Sequence, residues 1–195
     1  MLKYVFFVAL VLLAIYHFWP EAEIHHPAGM VAPNEPIQTA LNKTSAFVFD
    51  DYLITPLASF QLEARVLSAK HYRFGRESDL APVDLAMGWG PMSDQEVLDQ
   101  MKISQSSRFF WWRAKTLPLP KQTIISHSAN MHMIPSTPKI ETMLKSVKRG
   151  QVVKLEGYLV AVMGKDGWRW KSSLKRTDSG NGACEIVWVK SLEFR

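Results

Sequence analysis

Residues 152–163 read VVKLEGYLVAVM. They are followed by GKDG at 164–167, WRWKSSL at 168–174, a polar turn DSGNG at 178–182 and ACEIVWV at 183–189. β-Branched and aromatic residues dominate each apolar piece and glycine-rich turns separate them, so the region predicts three strands in a meander. Upstream, Phe60, Leu62, Ala64 and Val66 alternate with Gln61, Glu63 and Arg65, the period of a half-buried strand. RFFWWR at 108–113 is too short and too aromatic for a surface helix and predicts another strand.

Helical signals are fewer. Ser93 followed by Glu96 forms a capping box that opens a short helix to about Met101. Thr137 can cap a second helix with Pro138 at its first position. Ile140, Met143, Leu144 and Val147 then fall on one face, and Gly150 stops the helix after Lys148 and Arg149. Five or more strands, with a helix ahead of a glycine-rich hairpin, resemble the small closed barrels of the OB type in architecture. That likeness rests on element order and carries no function with it.

The chain has 195 residues, 47% apolar and 21% charged, the balance of a folded body rather than a disordered one. Cys184 is the single cysteine, so no intramolecular disulfide is possible. A net charge of +5 permits weak attraction to an anionic lipid or polymer, but the excess is spread along the chain without a long basic run.

Residues 4–19 read YVFFVALVLLAIYHFW. A helix of this length spans about 24 Å, a little short of a hydrocarbon core of about 30 Å, with Lys3, Tyr16 and Trp19 placed to help at the interfaces. No small-x-small cleavage sequence follows, so an uncleaved anchor is expected in preference to a signal peptide. Lys3 precedes the apolar run and Glu21 and Glu23 follow it, which predicts a single pass through the inner membrane with the body in the periplasm. The expected organisation is an anchor over 1–20, a proline-containing spacer over 21–45 and a globular β-rich domain over 46–195. The expected class is α+β: an N-terminal transmembrane helix followed by a small, mostly antiparallel β-sheet or OB-like barrel with one or two helices.

Two stretches concentrate polar chemistry. SHSANMHMIP at 126–135 supplies His127 and His132 as candidate bases and Ser128 and Asn130 as candidate binding groups. The odd separation of the histidines puts them on opposite faces of an extended chain. DLAPVDLAMGWGP at 79–91 supplies Asp79 and Asp84, either of which could orient an imidazole, and Trp89 between two glycines as a binding group. Capping duties account for the aspartates more simply, as backbone hydrogen bonds do for the serines and histidines. Cys184 shares a strand face with Ile186 and Trp188, which predicts a buried thiol. His25 and His26 read as solvated side chains, so neither a metal nor a cofactor is expected. No nucleophile elbow, zinc-binding helix, P-loop or dinucleotide fingerprint occurs.

Arg108, Trp112 and Arg113, and Trp168 with Arg176, combine stacking faces with cations, a mixture that suits single-stranded nucleic acid or sugar rings. Core packing of alternate aromatics is the plainer account. The function expected is a membrane-anchored envelope protein acting as a binding or assembly module, with an envelope protein or an anionic polymer as partner. One alternative is a membrane-tethered hydrolase that uses His127 or His132 with Asp79 or Asp84. The other is a nucleic-acid-binding barrel, if the body is cytoplasmic.

Overall fold

The structure is a computed structural model and describes residues 4, 6–8, 23–42, 44–175 and 183–195. In chain order the strands are β1 (Ile37–Ala40), β2 (Phe47–Phe49), β3 (Tyr52–His71), β4 (Val83–Gly88), β5 (Lys102–Ser106), β6 (Phe109–Arg113), β7 (Ser128–Pro135), β8 (Val152–Gly164), β9 (Arg169–Lys171) and β10 (Glu185–Phe194). The helices are α1 (Arg76–Leu80), α2 (Gln95–Leu98), α3 (Lys121–Ser126) and α4 (Pro138–Lys145), with a 3-10 turn at Gly90–Ser93.

Five strands close on themselves. β3 pairs antiparallel with β4, β4 with β7, β10 with β8, and β8 with β3, while β7 and β10 run parallel. Closure of this kind removes the open edges that would otherwise invite pairing with another chain. Along β3, Ala58, Phe60, Leu62, Ala64 and Val66 point inward. There they meet Val83, Leu85 and Met87, Met131 and Met133, Val153, Leu155 and Leu159, and Val187 and Val189 in one buried cluster. The period-two alternation of apolar residues is thus what fills the barrel. α4 covers one end of it: Thr137 Oγ1 accepts from the Ile140 amide at 3.3 Å, and Ile140 and Leu144 are buried.

β3 and β8 are longer than the barrel needs. Their register shifts between Pro56 and Ala58. Past that bulge, a place where a strand tolerates proline, Tyr52, Ile54, Val160 and Val162 form a second cluster around Trp188. Phe47 and Phe49 of β2 meet Trp188 edge-on, with ring centroids 5.0 and 4.7 Å away. The expected meander differs in one respect. β9 pairs with β8 only at residues 161–163, and β10 returns to the same edge of β8 lower down, at 153–159.

The expected α+β class with a transmembrane helix is corrected. Among the described residues 47% are strand and 18% helix, and no helix is long and apolar enough to cross a membrane. Tyr4 and residues 6–8 are helical, but most of the apolar run, residues 9–19, lies outside the described residues. The single-pass anchor and the inner-membrane placement drawn from it are therefore not supported.

Residues 24–36, within the stretch expected as a spacer, lie along the base of the barrel. The Ile24 amide donates to Arg149 O at 2.9 Å, His26 Nε2 meets Gly150 O at 2.7 Å, and Gly90 N donates to Ala32 O at 2.8 Å. Arg65, 1% exposed, is sealed beneath them and donates to Ser93 O, Ile24 O and Gln95 Oε1. Burial pulls its pKa below the usual arginine value.

Gly157, where β8 crosses β10, has no room for a side chain: a Cβ there would sit 1.9 Å from Trp188 O. Gly157→Ala is expected to cost about 2 kcal/mol or more, because the clash is with backbone. A melting temperature lowered by at least about 4 °C in thermal circular dichroism would show it; an unchanged value would contradict this packing.

Candidate functional site

The outward-facing residues of β4 and β7 form a polar row on the barrel wall, because their alternate positions fill the interior. Asp84 and His132 sit opposite each other in the β4–β7 register, and Ala86 sits opposite Asn130. This row is covered by the hairpin of β5 and β6, whose two-residue turn is Ser107–Arg108 with φ of 50° and 68°. Positive φ at both positions is the type I′ geometry that matches strand twist, and it carries a steric cost for residues other than glycine.

That cost is offset at the tip of the hairpin. Arg108 Nη1 donates to Asp84 Oδ1 at 2.7 Å and to Ala81 O at 2.9 Å, and its Nη2 donates to Ser78 Oγ at 2.9 Å. The guanidinium lies 3.8 Å from the centroid of the Tyr72 ring, and the Tyr72 hydroxyl accepts from the Arg108 amide at 3.1 Å. Burial pushes the Tyr72 phenol above its ordinary pKa. Asn130 Nδ2 donates to Arg108 O at 2.9 Å, and Gln105 Nε2 donates to Asn130 Oδ1 at 2.7 Å.

His132 Nδ1 lies 2.9 Å from Asp84 Oδ1, so the structure brings together one of the predicted imidazole–carboxylate pairs. The contact is off the hydrogen-bond direction, since His132 Nδ1 and Asp84 Oδ2 both lack a hydrogen-bond partner among the described residues. His132 is 3% exposed, Asp84 is fully buried, and Trp170 packs on the imidazole with centroids 4.8 Å apart. Shared between a guanidinium and an imidazole, the carboxylate serves as a buried counter-ion and is sealed from solvent.

The other two predicted catalytic groups lie elsewhere. His127 ends α3, where its Nδ1 meets Thr123 O at 2.9 Å and its Nε2 is 3.6 Å from Glu35. Asp79 is exposed on α1, at the edge of a cleft of about 320 Å³ shared with Asp50, Ser136 and Glu141. The two dense polar stretches therefore lie side by side as β4 and β7, and the buried polar groups they bring together are Asp84, Asn130 and His132.

Of the expected binding residues, Ser128 is buried and donates to Ile124 O at 2.6 Å, and Trp89 is a core side chain at 1% exposure. Trp112 packs inward with Phe110 against Leu67, Met92 and Ile124. Trp168 lies under the Arg76 guanidinium, 4.7 Å from its ring centroid, while Arg76 also pairs with Asp166 at 2.6 Å. Arg176 lies outside the described residues. Arg113 is exposed. Cys184, expected to be buried, is half-buried, with Sγ 3.8 Å from Arg108 O.

Alternation in β6 turns Phe109, Trp111 and Arg113 to the opposite side from Phe110 and Trp112. Trp111 is 58% exposed. At the open end of the same hairpin a groove of about 610 Å³ is lined by Lys102, Arg113 and Lys115, with Asp99 and Gln100. The sequence points to Trp112, Arg113 and Arg108 in this run; the structure adds Trp111, Lys102 and Lys115. The signal was present in KISQS at 102–106, where Ile103 is the lone apolar residue and assigns Lys102, Ser104 and Ser106 to the wet face.

Removing the Arg108 charge leaves the Asp84 carboxylate buried without its main partner. Arg108→Met is expected to cost about 3–5 kcal/mol in urea unfolding, and the double variant with Asp84→Asn less than the sum of the single ones. Strict additivity would show that the pair is not coupled.

On the exposed side, the Arg76 guanidinium holds the Asp166 carboxyl down at about 2, below the ordinary 3.8. A depressed carboxyl contributes above its unfolded pKa and loses that contribution as pH falls through the folded value. The indole N–H resonance of Trp168 should then shift with a midpoint near pH 2, and should lose that transition in Asp166→Asn. No family model, curated protein or solved structure matches this chain.

Proposed function

We propose that this domain is a binding module and that the outer face of the β5–β6 hairpin takes an anionic polymer. The observation that carries the reading is the grouping of Lys102, Arg113 and Lys115 around the groove beside the exposed Trp111. Among the described residues none of these three cations makes an ion pair, whereas Arg76, Arg108, Lys145, Arg149, Lys165 and Arg195 each do. Unpaired cations clustered at a concave surface raise the local concentration of anions.

One observation favours a hydrolase, the 2.9 Å approach of His132 to Asp84. A catalytic base needs an aligned hydrogen bond and access to its substrate. Here the imidazole is buried under Trp170, and the carboxylate is shared with Arg108. The pair fits a structural role in holding down the hairpin better than a chemical one.

The test uses the full chain and a long-chain inorganic polyphosphate, followed by calorimetry at low and moderate salt. Binding should weaken steeply with salt. It should fall at least tenfold in Lys102→Ser/Arg113→Ser/Lys115→Ser, and much less when the same charge is removed at the exposed Lys70, Lys139 and Lys148. Equal losses in the two triple variants would reduce the effect to net charge and overturn the reading.

A further inference from the structure

The hairpin face carries more than charge. Across β5 and β6, Lys102 stands opposite Arg113, Ser104 opposite Trp111 and Ser106 opposite Phe109. Each outward aromatic ring thus has a small side chain as its cross-strand neighbour, and Trp111 is left exposed while Phe109 is half-buried. The rings of Phe109 and Trp111 are 6.3 Å apart between centroids and inclined at 49°. The Trp111 indole is 58% exposed and the Phe109 ring adjoins it, so the aromatic surface here is a pair of rings rather than a single side chain.

The polar groups around these rings are biased toward donors. Lys102, Arg113 and Lys115 only donate, and Ser104 and Ser106 add hydroxyls. Of the nearby carboxylate, one oxygen is engaged within the protein, Asp99 Oδ1 accepting from Gln95 Nε2 at 2.7 Å. A neutral glycan would leave the charge of Lys102, Arg113 and Lys115 without an anion to meet. A duplex hides its base faces by stacking them. The ligand that matches donors, positive charge and open ring faces together is one that alternates anionic acceptors with flat apolar faces.

We infer that this face binds single-stranded nucleic acid, with phosphates at Lys102, Arg113 and Lys115 and bases stacked on Trp111 and Phe109. The inference rests on the anionic-polymer reading and adds the rings to it. Stacking tolerates any base, so the site selects single strands over duplexes with little preference for sequence.

The experiment measures fluorescence anisotropy of a labelled twelve-residue oligothymidylate with the full chain, and uses polyphosphate, heparin and a DNA duplex as competitors. Trp111 is exposed, so Trp111→Ala should leave the fold intact, as circular dichroism will check. The oligonucleotide is expected to bind more tightly than polyphosphate or duplex. Trp111→Ala should weaken it about tenfold, the loss of one stacked base, with polyphosphate binding unchanged and with most of the affinity restored in Trp111→Phe. Three phosphate contacts predict a slope of about −2 for log affinity against log salt. Equal affinity for oligonucleotide and polyphosphate with no effect of Trp111→Ala would overturn the inference and leave the anionic-polymer reading standing. Heparin binding more tightly than the oligonucleotide, with sensitivity to Trp111→Ala, would also overturn it and point to an anionic glycan. Failure of both polyphosphate and oligonucleotide to bind would sink the two together.

Discussion

The pairing of β3 with β8, continuous from Tyr52–Gly164 to Arg65–Val152 apart from one bulge, is the contact on which the rest of the molecule depends. Without it the remaining strands would form an open sheet, with the long edges of β3 and β8 unpaired and Phe60, Leu62 and Leu155 facing water. With it, each barrel strand has a neighbour on both sides and the inward side chains share one core. The constraint reaches down to single residues. Gly157 must lack a Cβ where Trp188 O passes, and the bulge after Pro56 lets the same two strands leave the barrel and cover Trp188.

Closure also creates a problem that the inserted hairpin solves. Once β4 and β7 commit Val83, Leu85, Met131 and Met133 to the interior, Asp84, Asn130 and His132 are forced onto the outer wall. Asp84 and His132 end there almost wholly buried, and a buried carboxylate is tolerable only with close cationic partners. Arg108 supplies one from the strained tip of the hairpin, and its bonds to Ala81, Ser78 and Tyr72 hold that tip in place. Pinned at one end by Arg108 and packed through Phe110 and Trp112 along its length, the hairpin has only its other side left to present. The proposed binding surface is thus a by-product of how the polar row is sealed.

Several elements were legible because their signals are local. The helix from Pro138 follows from the cap at Thr137 and from Ile140, Leu144 and Val147 at helical spacing, and β8 and the centre of β3 follow from alternation. The capping box expected at Ser93 is displaced by one residue: Asp94 caps α2 by accepting from the Glu96 amide at 3.0 Å, while the Ser93 hydroxyl donates to Gly90 O. Both side chains can cap, and the contact of Ser93 with Ala32, 61 positions away, decides which one does. The pairing of His132 with Asp84 rather than His127 with Asp79 likewise depends on register between strands distant in sequence.

By itself the amino-acid sequence determined the centre of β3, the strands β6, β8, β9 and β10, and the helices near Gln95 and Pro138, because backbone periodicity and capping act over a few residues. It also determined that no disulfide could staple the core and that no common catalytic motif is present. Only the tertiary structure decided that β10 crosses to lie parallel to β7, that the barrel closes through β3 and β8, and that residues 24–36 seal Arg65 at its base. It also decided which face of RFFWWR is wet. Alternation separates Trp111 from Trp112, but only the barrel wall beneath the hairpin makes Trp112 the inner one. The reason is physical: these outcomes turn on which long-range pairings satisfy the most backbone hydrogen bonds and bury the most apolar surface at once, and no local window of sequence contains that competition.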